Sequence, residues 1–222
     1  MGNKLYILLL SFFMLSGCTK AESHYINDQG LFLLSKANEE VTVETQESTE
    51  EGDLIIDFYF ETDSGASMMV FDRLRSDVKE YIVEENAKVR VHPLVYLNNH
   101  SAMGSSYTRA KAILSVAKYE PDYLLEFFNE VVIQDYVNDK NVEEILSSLD
   151  MSQNSINKIV RKQNEFHDIL IEKSQNYLDQ NLGLIKLNYQ GKESTFEVKD
   201  INTVAEDLHK SIESLKQGAQ DA

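Results

Sequence analysis

Leu54-Ile55-Ile56-Asp57-Phe58-Tyr59-Phe60, running into Thr62-Asp63-Ser64-Gly65, is the stretch from which the architecture can be read. A short aromatic and β-branched run stopped by turn-forming residues is a buried strand. Beyond it Val70, Leu74, Val78 and Ile82 recur every four residues and share one face of an amphipathic helix. Lys88-Val89-Arg90-Val91-His92-Pro93-Leu94-Val95-Tyr96-Leu97 then returns to β-rich sequence. Strand, helix and strand in about 45 residues form a βαβ unit, so the two strands are expected to run parallel.

Toward the C-terminus the pattern turns helical. Ala110, Ile113, Leu114 and Ala117 mark one face of a helix over Tyr107–Tyr119, and Pro121 opens the next, with Leu124, Leu125, Phe127, Phe128, Val131 and Val132 as its apolar stripe. A shorter helix is expected over Val142–Leu149. A long one should start at the N-cap Ser152 and continue through Ile156, Ile159, Val160, Phe166, Ile169 and Leu170 to Tyr177. After Gly183 the strand period returns in Leu184–Tyr189. Gln190-Gly191 turns the chain into Ser194–Val198, and a closing helix carries Val204, Leu208, Ile212 and Leu215.

Toward the N-terminus, Lys4 precedes the apolar run Leu5–Leu15, broken only by Ser11. The run is too short to span a bilayer but suits a secretory signal. It ends in Leu15-Ser16-Gly17-Cys18, which resembles the bacterial lipobox. Small residues at Ser16 and Gly17 let an extended backbone enter the signal peptidase. A thiol at Cys18 is needed for thioether-linked acyl chains such as palmitate. On this reading 1–17 is a lipoprotein signal peptide, and the chain from Cys18 is held in the bilayer by its acyl chains, facing the outside of the cytoplasmic membrane. Residues 18–53 follow as a tether: 19–53 hold nine acidic and two basic residues, too polar to bury much surface. Within it Leu31-Phe32-Leu33-Leu34 and Val41-Thr42-Val43 are apolar enough to add an edge strand. The acidic run lacks the spaced ligands and central glycine of a calcium loop.

Composition excludes several functions. The 222-residue chain carries a formal charge of −16, or −17 once Lys4 is removed with the signal. That is the wrong sign for displacing phosphate counterions, so no nucleic-acid partner is expected. His24, His92, His100, His167 and His209 are dispersed, without the spacing of a metal site; no metal and no cofactor are expected. His92 reads as a packed strand residue and His167-Asp168 as a solvated edge. The one cysteine forbids an internal disulfide, a Cys-x-x-Cys pair and a Cys-rich zinc site.

The element order βαβ, helical block, hairpin and helix is that of a thioredoxin core split by an insertion. Three stretches carry a closer resemblance: Val91-His92-Pro93-Leu94-Val95-Tyr96-Leu97 followed by Ser105-Ser106-Tyr107-Thr108-Arg109-Ala110; Asp122-Tyr123-Leu124-Leu125-Glu126-Phe127-Phe128; and Leu187-Asn188-Tyr189-Gln190-Gly191-Lys192. They resemble DsbA-like thiol-disulfide oxidoreductases, in particular the lipoproteins of Gram-positive bacteria. The resemblance implies an α/β, thioredoxin-like fold with an inserted helical domain. The core would occupy 54–100 and 181–217, the insertion 101–180 and a tail 218–222.

It also implies where a site should lie. The family's Cys-x-x-Cys position is taken here by Asp63-Ser64-Gly65-Ala66 or, one residue on, Ser64-Gly65-Ala66-Ser67, neither with a sulfur. Its cis-proline position is taken by Ile185, preceded by Leu184. A cis bond before a residue other than proline costs about 3 kcal/mol, so this one should be trans. Met68, Met69 and Leu184 would line a partner groove. The expectation is therefore a membrane-anchored binding module for an exported polypeptide or a membrane partner, without thiol-disulfide oxidoreductase activity and with no catalytic residue. Two other readings stay open: an enzyme using Ser64 or Ser67 for serine or glutathione chemistry, and release of an apolar peptide pheromone from Ser11–Gly17.

Overall fold

The structure is a computed structural model that describes residues 31–38, 40–43, 53–62, 65–98, 101–102, 104–177 and 183–220. The deciding stretch is a strand, β3 (Ile55–Glu61), followed by α1 (Gly65–Glu85) and β4 (Lys88–Leu94). The two strands pair in parallel, with Ile56 beside Val89 and Phe58 beside Val91. They are the middle of a six-stranded sheet that also contains β1 (Phe32–Ala37), β2 (Glu40–Val43), β7 (Leu184–Tyr189) and β8 (Lys192–Glu197), in the order β2-β1-β4-β3-β7-β8. The remaining pairings are antiparallel. A separate two-residue pair, β5 (Leu97–Asn98) with β6 (Ser101–Ala102), follows β4.

The β7–β8 hairpin turns at Gln190 and Gly191, which have φ of 50° and 76°. Two adjacent left-handed residues are what a tight hairpin of matching twist requires, and a glycine takes the second at no steric cost.

The apolar strand residues face α1 and the closing helix α7 (Val204–Gln220). Ile56, Phe60, Val91 and Ile185 are all but inaccessible, as are Val70, Leu74 and Ile82 of α1 and Leu208 and Ile212 of α7. Between β6 and β7 lies the helical block: α2 (Gly104–Tyr119), α3 (Leu124–Val132), α4 (Asp139–Ser148), α5 (Gln153–Lys162) and α6 (His167–Tyr177). Helix α2 is its axis, buried along most of its length and packed against α3, α5 and the turn before α6. Its neighbours are capped as their sequences demand. The Ser152 side chain accepts from the Ser155 N–H at the start of α5, and Asn138 and Asn141 form a reciprocal capping box on α4.

Two expectations change. The long helix from Ser152 to Tyr177 is broken at Gln163–Phe166, which tightens to a 3₁₀ turn. The turn buries Gln163 and Phe166. Gln163 donates to Asp139 at 2.9 Å, while Glu165 accepts from Tyr119 at 2.5 Å and from Lys118 at 3.1 Å. The apolar residues before 53 form a hairpin, not one edge strand. Strand β1 lies inside the sheet between β2 and β4, with Phe32 opposite Val91.

Burial of Leu31, Phe32, Leu33 and Leu34 makes this segment structural. Phe32→Ala should cost about 3–5 kcal/mol in urea denaturation. A change within about 0.5 kcal/mol, the value for an exposed tether position, would contradict its place in the core.

Candidate functional site

The site begins where β3 gives way to α1. Thr62 is fully buried, and its N–H donates to the Leu94 carbonyl at 3.1 Å, joining the ends of β3 and β4. Its hydroxyl donates to the Ser106 carbonyl at 2.8 Å, reaching the first turn of α2. Ser106 in turn accepts from the Tyr96 N–H at 3.0 Å, and Ser105 from the Val137 N–H at 2.8 Å.

Arg109 closes this hub. Its guanidinium donates to the Thr62 carbonyl through Nη1, to Val131 through Nε at 3.1 Å, and to Gln134 through Nη2 at 2.7 Å. Arg109 is 3% exposed. Three carbonyl dipoles replace the water that such a buried cation would otherwise keep.

Around the hub the surface is apolar in an unusual way. The large exposed hydrophobic side chains among the described residues are Met69, Tyr96, Leu125, Ile133 and Tyr136. Tyr96 is in the β4–α2 connection and Ile133 and Tyr136 follow α3, all in segments fastened by the bonds above. Met69 is on the second turn of α1. Exposed apolar side chains on segments tied to one junction, as Tyr96, Ile133 and Tyr136 are, mark an interaction surface.

The sequence-derived positions distribute as follows. Leu15, Ser16, Gly17, Cys18, Asp63 and Ser64 lie outside the described residues, as do His24 and His100, and nothing is described of the Ala66 and Met68 side chains. Gly65 starts α1, Ser67 is buried and Met69 is 59% exposed. Leu184 and Ile185 are both buried, and the described residues contain no cis peptide bond, so the bond between these two is trans. They point to opposite faces. Leu184 packs with Tyr59 and Leu94, while Ile185 joins the main core. The structure thus brings Leu184 beside Leu94, whose carbonyl Thr62 engages, and leaves Met69 exposed on α1. His167 is exposed, with Nδ1 at 2.5 Å from the Tyr107 hydroxyl.

A polar cluster that the sequence reading did not find lies on the Leu184 face of the sheet. In the register of β3 and β4, Asp57 is beside Arg90 and Tyr59 beside His92. The His92 ring stacks on Tyr59 with centroids 4.0 Å apart. Its Nε2 lies 2.6 Å from Asp57 Oδ1 and its Nδ1 2.9 Å from Lys173 Nζ on α6. Burial pushes the His92 pKa down to about 4, against the pull of the Asp57 hydrogen bond, so the imidazole is neutral near pH 7. The contacts then assign its tautomer: Nε2–H donates to Asp57 and Nδ1 accepts from Lys173. Burial also lowers Lys173, to about 8, with Asp57 opposing. Carboxylate, imidazole and amine form a hydrogen-bonded line able to pass a proton along its length. The one signal for it was an aspartate in an otherwise apolar strand. Among the described residues no group of three or more His, Cys, Asp or Glu could hold a metal ion.

With this geometry in view, solved structures can be compared. MdbA, a thiol-disulfide oxidoreductase from Corynebacterium matruchotii, superposes with a TM-score of 0.56 at 15% identity, over 85% of this chain and 98% of its own. Oxidised BdbD from Bacillus subtilis gives 0.55 at 15%, over 84% and 94%. The thiol-disulfide oxidoreductase MdbA from Corynebacterium diphtheriae gives 0.51 at 18%, over 79% and 92%. No family model and no curated protein matches the sequence. The fold is α/β, thioredoxin-like and of the DsbA type, and the single cysteine is consistent with a lost Cys-x-x-Cys. The expectation of a chain without oxidoreductase activity is corrected by these matches, since solved neighbours of this fold are thiol-disulfide oxidoreductases.

Two measurements test the site. Arg109→Met leaves the Thr62, Val131 and Gln134 carbonyls without this donor, at a cost of about 3 kcal/mol or more in urea denaturation; an unchanged midpoint would remove the hub from the account. For His92 the folded pKa of about 4 lies below the ordinary 6.5. The unfolded chain therefore binds the proton first, and stability falls as pH drops from 6.5 to 4, by up to about 3 kcal/mol. Glu165, which partial desolvation pushes up but hydrogen bonds from Lys162, Tyr119 and Lys118 hold near 2, loses its contribution only from 4.5 downward. His92→Gln should flatten the loss between pH 6.5 and 4.5 and leave the lower limb in place.

Proposed function

We propose that this DsbA-like chain binds extended polypeptide, from an exported protein or a membrane partner, at the apolar surface around the β3–α1 junction. The observation that carries the reading is the exposure of Tyr96, Ile133 and Tyr136 on segments fixed to the Thr62–Arg109 hub, with Met69 exposed on the second turn of α1. An apolar surface on a rigid support binds at small ordering cost, because its side chains are presented before the partner arrives. Tyrosine adds large contact area with few rotamers to freeze.

Met69, 59% exposed on α1, belongs to the same reading, whereas Leu184, 4% exposed, supports the surface from beneath. The chain is held at the outer face of the cytoplasmic membrane by acyl chains on Cys18, within Leu15-Ser16-Gly17-Cys18. Tethering raises the effective concentration toward partners that are also at the membrane.

A photoreactive residue placed at Tyr96 or Tyr136 of the full chain in cells should crosslink discrete polypeptides. The combined Tyr96→Ser, Ile133→Ser and Tyr136→Ser variant, probed from Met69, should lose most of that yield while keeping its melting temperature. Equal yields from this variant, or from a control position on the exposed face of α7, would sink the reading. Cys18→Ala should abolish incorporation of labelled palmitate and release the chain from the membrane fraction; retention of label would refute the anchor.

A further inference from the structure

On the face of the sheet opposite the His92 cluster, between strands and α1, is a cavity of about 340 Å³. Native cores are packed as tightly as organic crystals, with few voids larger than a water molecule. A space this large lies instead in the range of small-molecule sites. Its floor is the apolar sheet, with Ile56, Val89 and Ile185, and its roof is α1, with Val78 and Ile82. Its polar lining residues are Glu40, Lys79 and Asn129, all exposed at the mouth between β2, α1 and α3, where Leu125 forms an apolar lip.

The lining restricts the occupant. A cavity walled by aliphatic side chains stays dry, and every polar atom carried into it would lose its water without gaining a partner. Sugars and nucleotides fail on that count, and so does peptide backbone, with two polar groups per residue. A straight hydrocarbon chain does not. At ~30 Å³ per methylene, similar to the liquid volume of water, the space takes on the order of ten carbons. The mouth then offers an ammonium, a carboxylate and an amide to a head group that stays in water.

We infer that this cavity binds the single acyl chain of an amphiphile, with its head at Glu40, Lys79 and Asn129. The head belongs either to a free fatty acid or to a lysophospholipid. The site does not depend on the polypeptide surface, since none of Tyr96, Ile133, Tyr136 and Met69 lines it, and the two stand or fall separately.

The test uses the full chain and, as probe, radiolabelled decanoate in equilibrium dialysis, whose short chain matches the space. Dodecanoate and lauroyl-lysophosphatidylcholine, each below its micelle concentration, serve as competitors. The expected result is saturable probe binding at one site per chain, displaced by at least one competitor, with a melting temperature that rises with competitor concentration. Val78→Trp should fill the cavity and weaken probe binding by about tenfold or more, with a melting temperature no lower than that of the parent chain. Val89→Phe provides the same obstruction from the floor if Val78→Trp fails to fold. Preference for dodecanoate, lost in Lys79→Gln, assigns the fatty acid; preference for the lysolipid, kept in Lys79→Gln, assigns the phospholipid. Absence of saturable binding, or binding unchanged in a folded cavity-filling variant, overturns the inference.

Discussion

A buried cation organises this molecule. Arg109 is enclosed, and its planar head reaches three carbonyls from two different parts of the chain: Thr62 at the end of β3, and Val131 and Gln134 at the end of α3. Burying a guanidinium is costly unless each of its edges is satisfied, and its rigid fork accepts only a narrow set of acceptor positions. The arrangement therefore works as a gauge. The helical block can sit on the sheet only where those carbonyls converge, and Ser105 and Ser106 complete the same junction through Val137 and Tyr96. The apolar surface around it inherits this rigidity.

The two faces of the central sheet have been put to different uses. The even positions of β3, Ile56, Phe58 and Phe60, enter the main core beneath α1 and α7. The odd positions Asp57 and Tyr59 face the His92 cluster and α6. A strand buried on both faces normally reads as continuously apolar, so Asp57 is the departure, tolerated because His92 Nε2 meets it at 2.6 Å. Keeping His92 neutral spares the cluster a third cation beside Lys173 and Arg90. The cost is deferred to acid, where the imidazole takes up a proton more readily unfolded than folded.

What the sequence disclosed followed from local pattern. Alternation and apolar spacing were enough for β3, α1, β4, the β7–β8 hairpin and most helices, because each signal lies within one element. The break at Gln163–Phe166 was hidden: Val160, Phe166, Ile169 and Leu170 keep a helical spacing across it, and its cause is tertiary, through Asp139 and Glu165's partners on α2. The hairpin at 32–43 was half visible, since apolar residues showed in an acidic segment but their place beside β4 depends on long-range pairing. The Asp57–His92–Lys173 line joins residues 35 and 81 positions apart, beyond the reach of any spacing rule. Arg109 stood inside one of the stretches that carried the resemblance, while its acceptors are backbone atoms that leave no mark in side-chain sequence.

The start of β7 links the two faces. Leu184 packs against Tyr59 and Leu94, and its neighbour Ile185 forms part of the cavity floor on the other side. Gly183 precedes them with φ of 132°, and a Cβ there would come within 3.1 Å of the Tyr59 carbonyl. Both its conformation and its close approach to β3 therefore call for glycine. The Val198 N–H donates to the Gly183 carbonyl at 3.1 Å, holding the same point from β8. A strand pinned at its first residue and alternating between faces cannot shift on one side alone. Ile185 thus lines the cavity on one face while its neighbour Leu184 packs on the other against Tyr59, the ring on which His92 stacks.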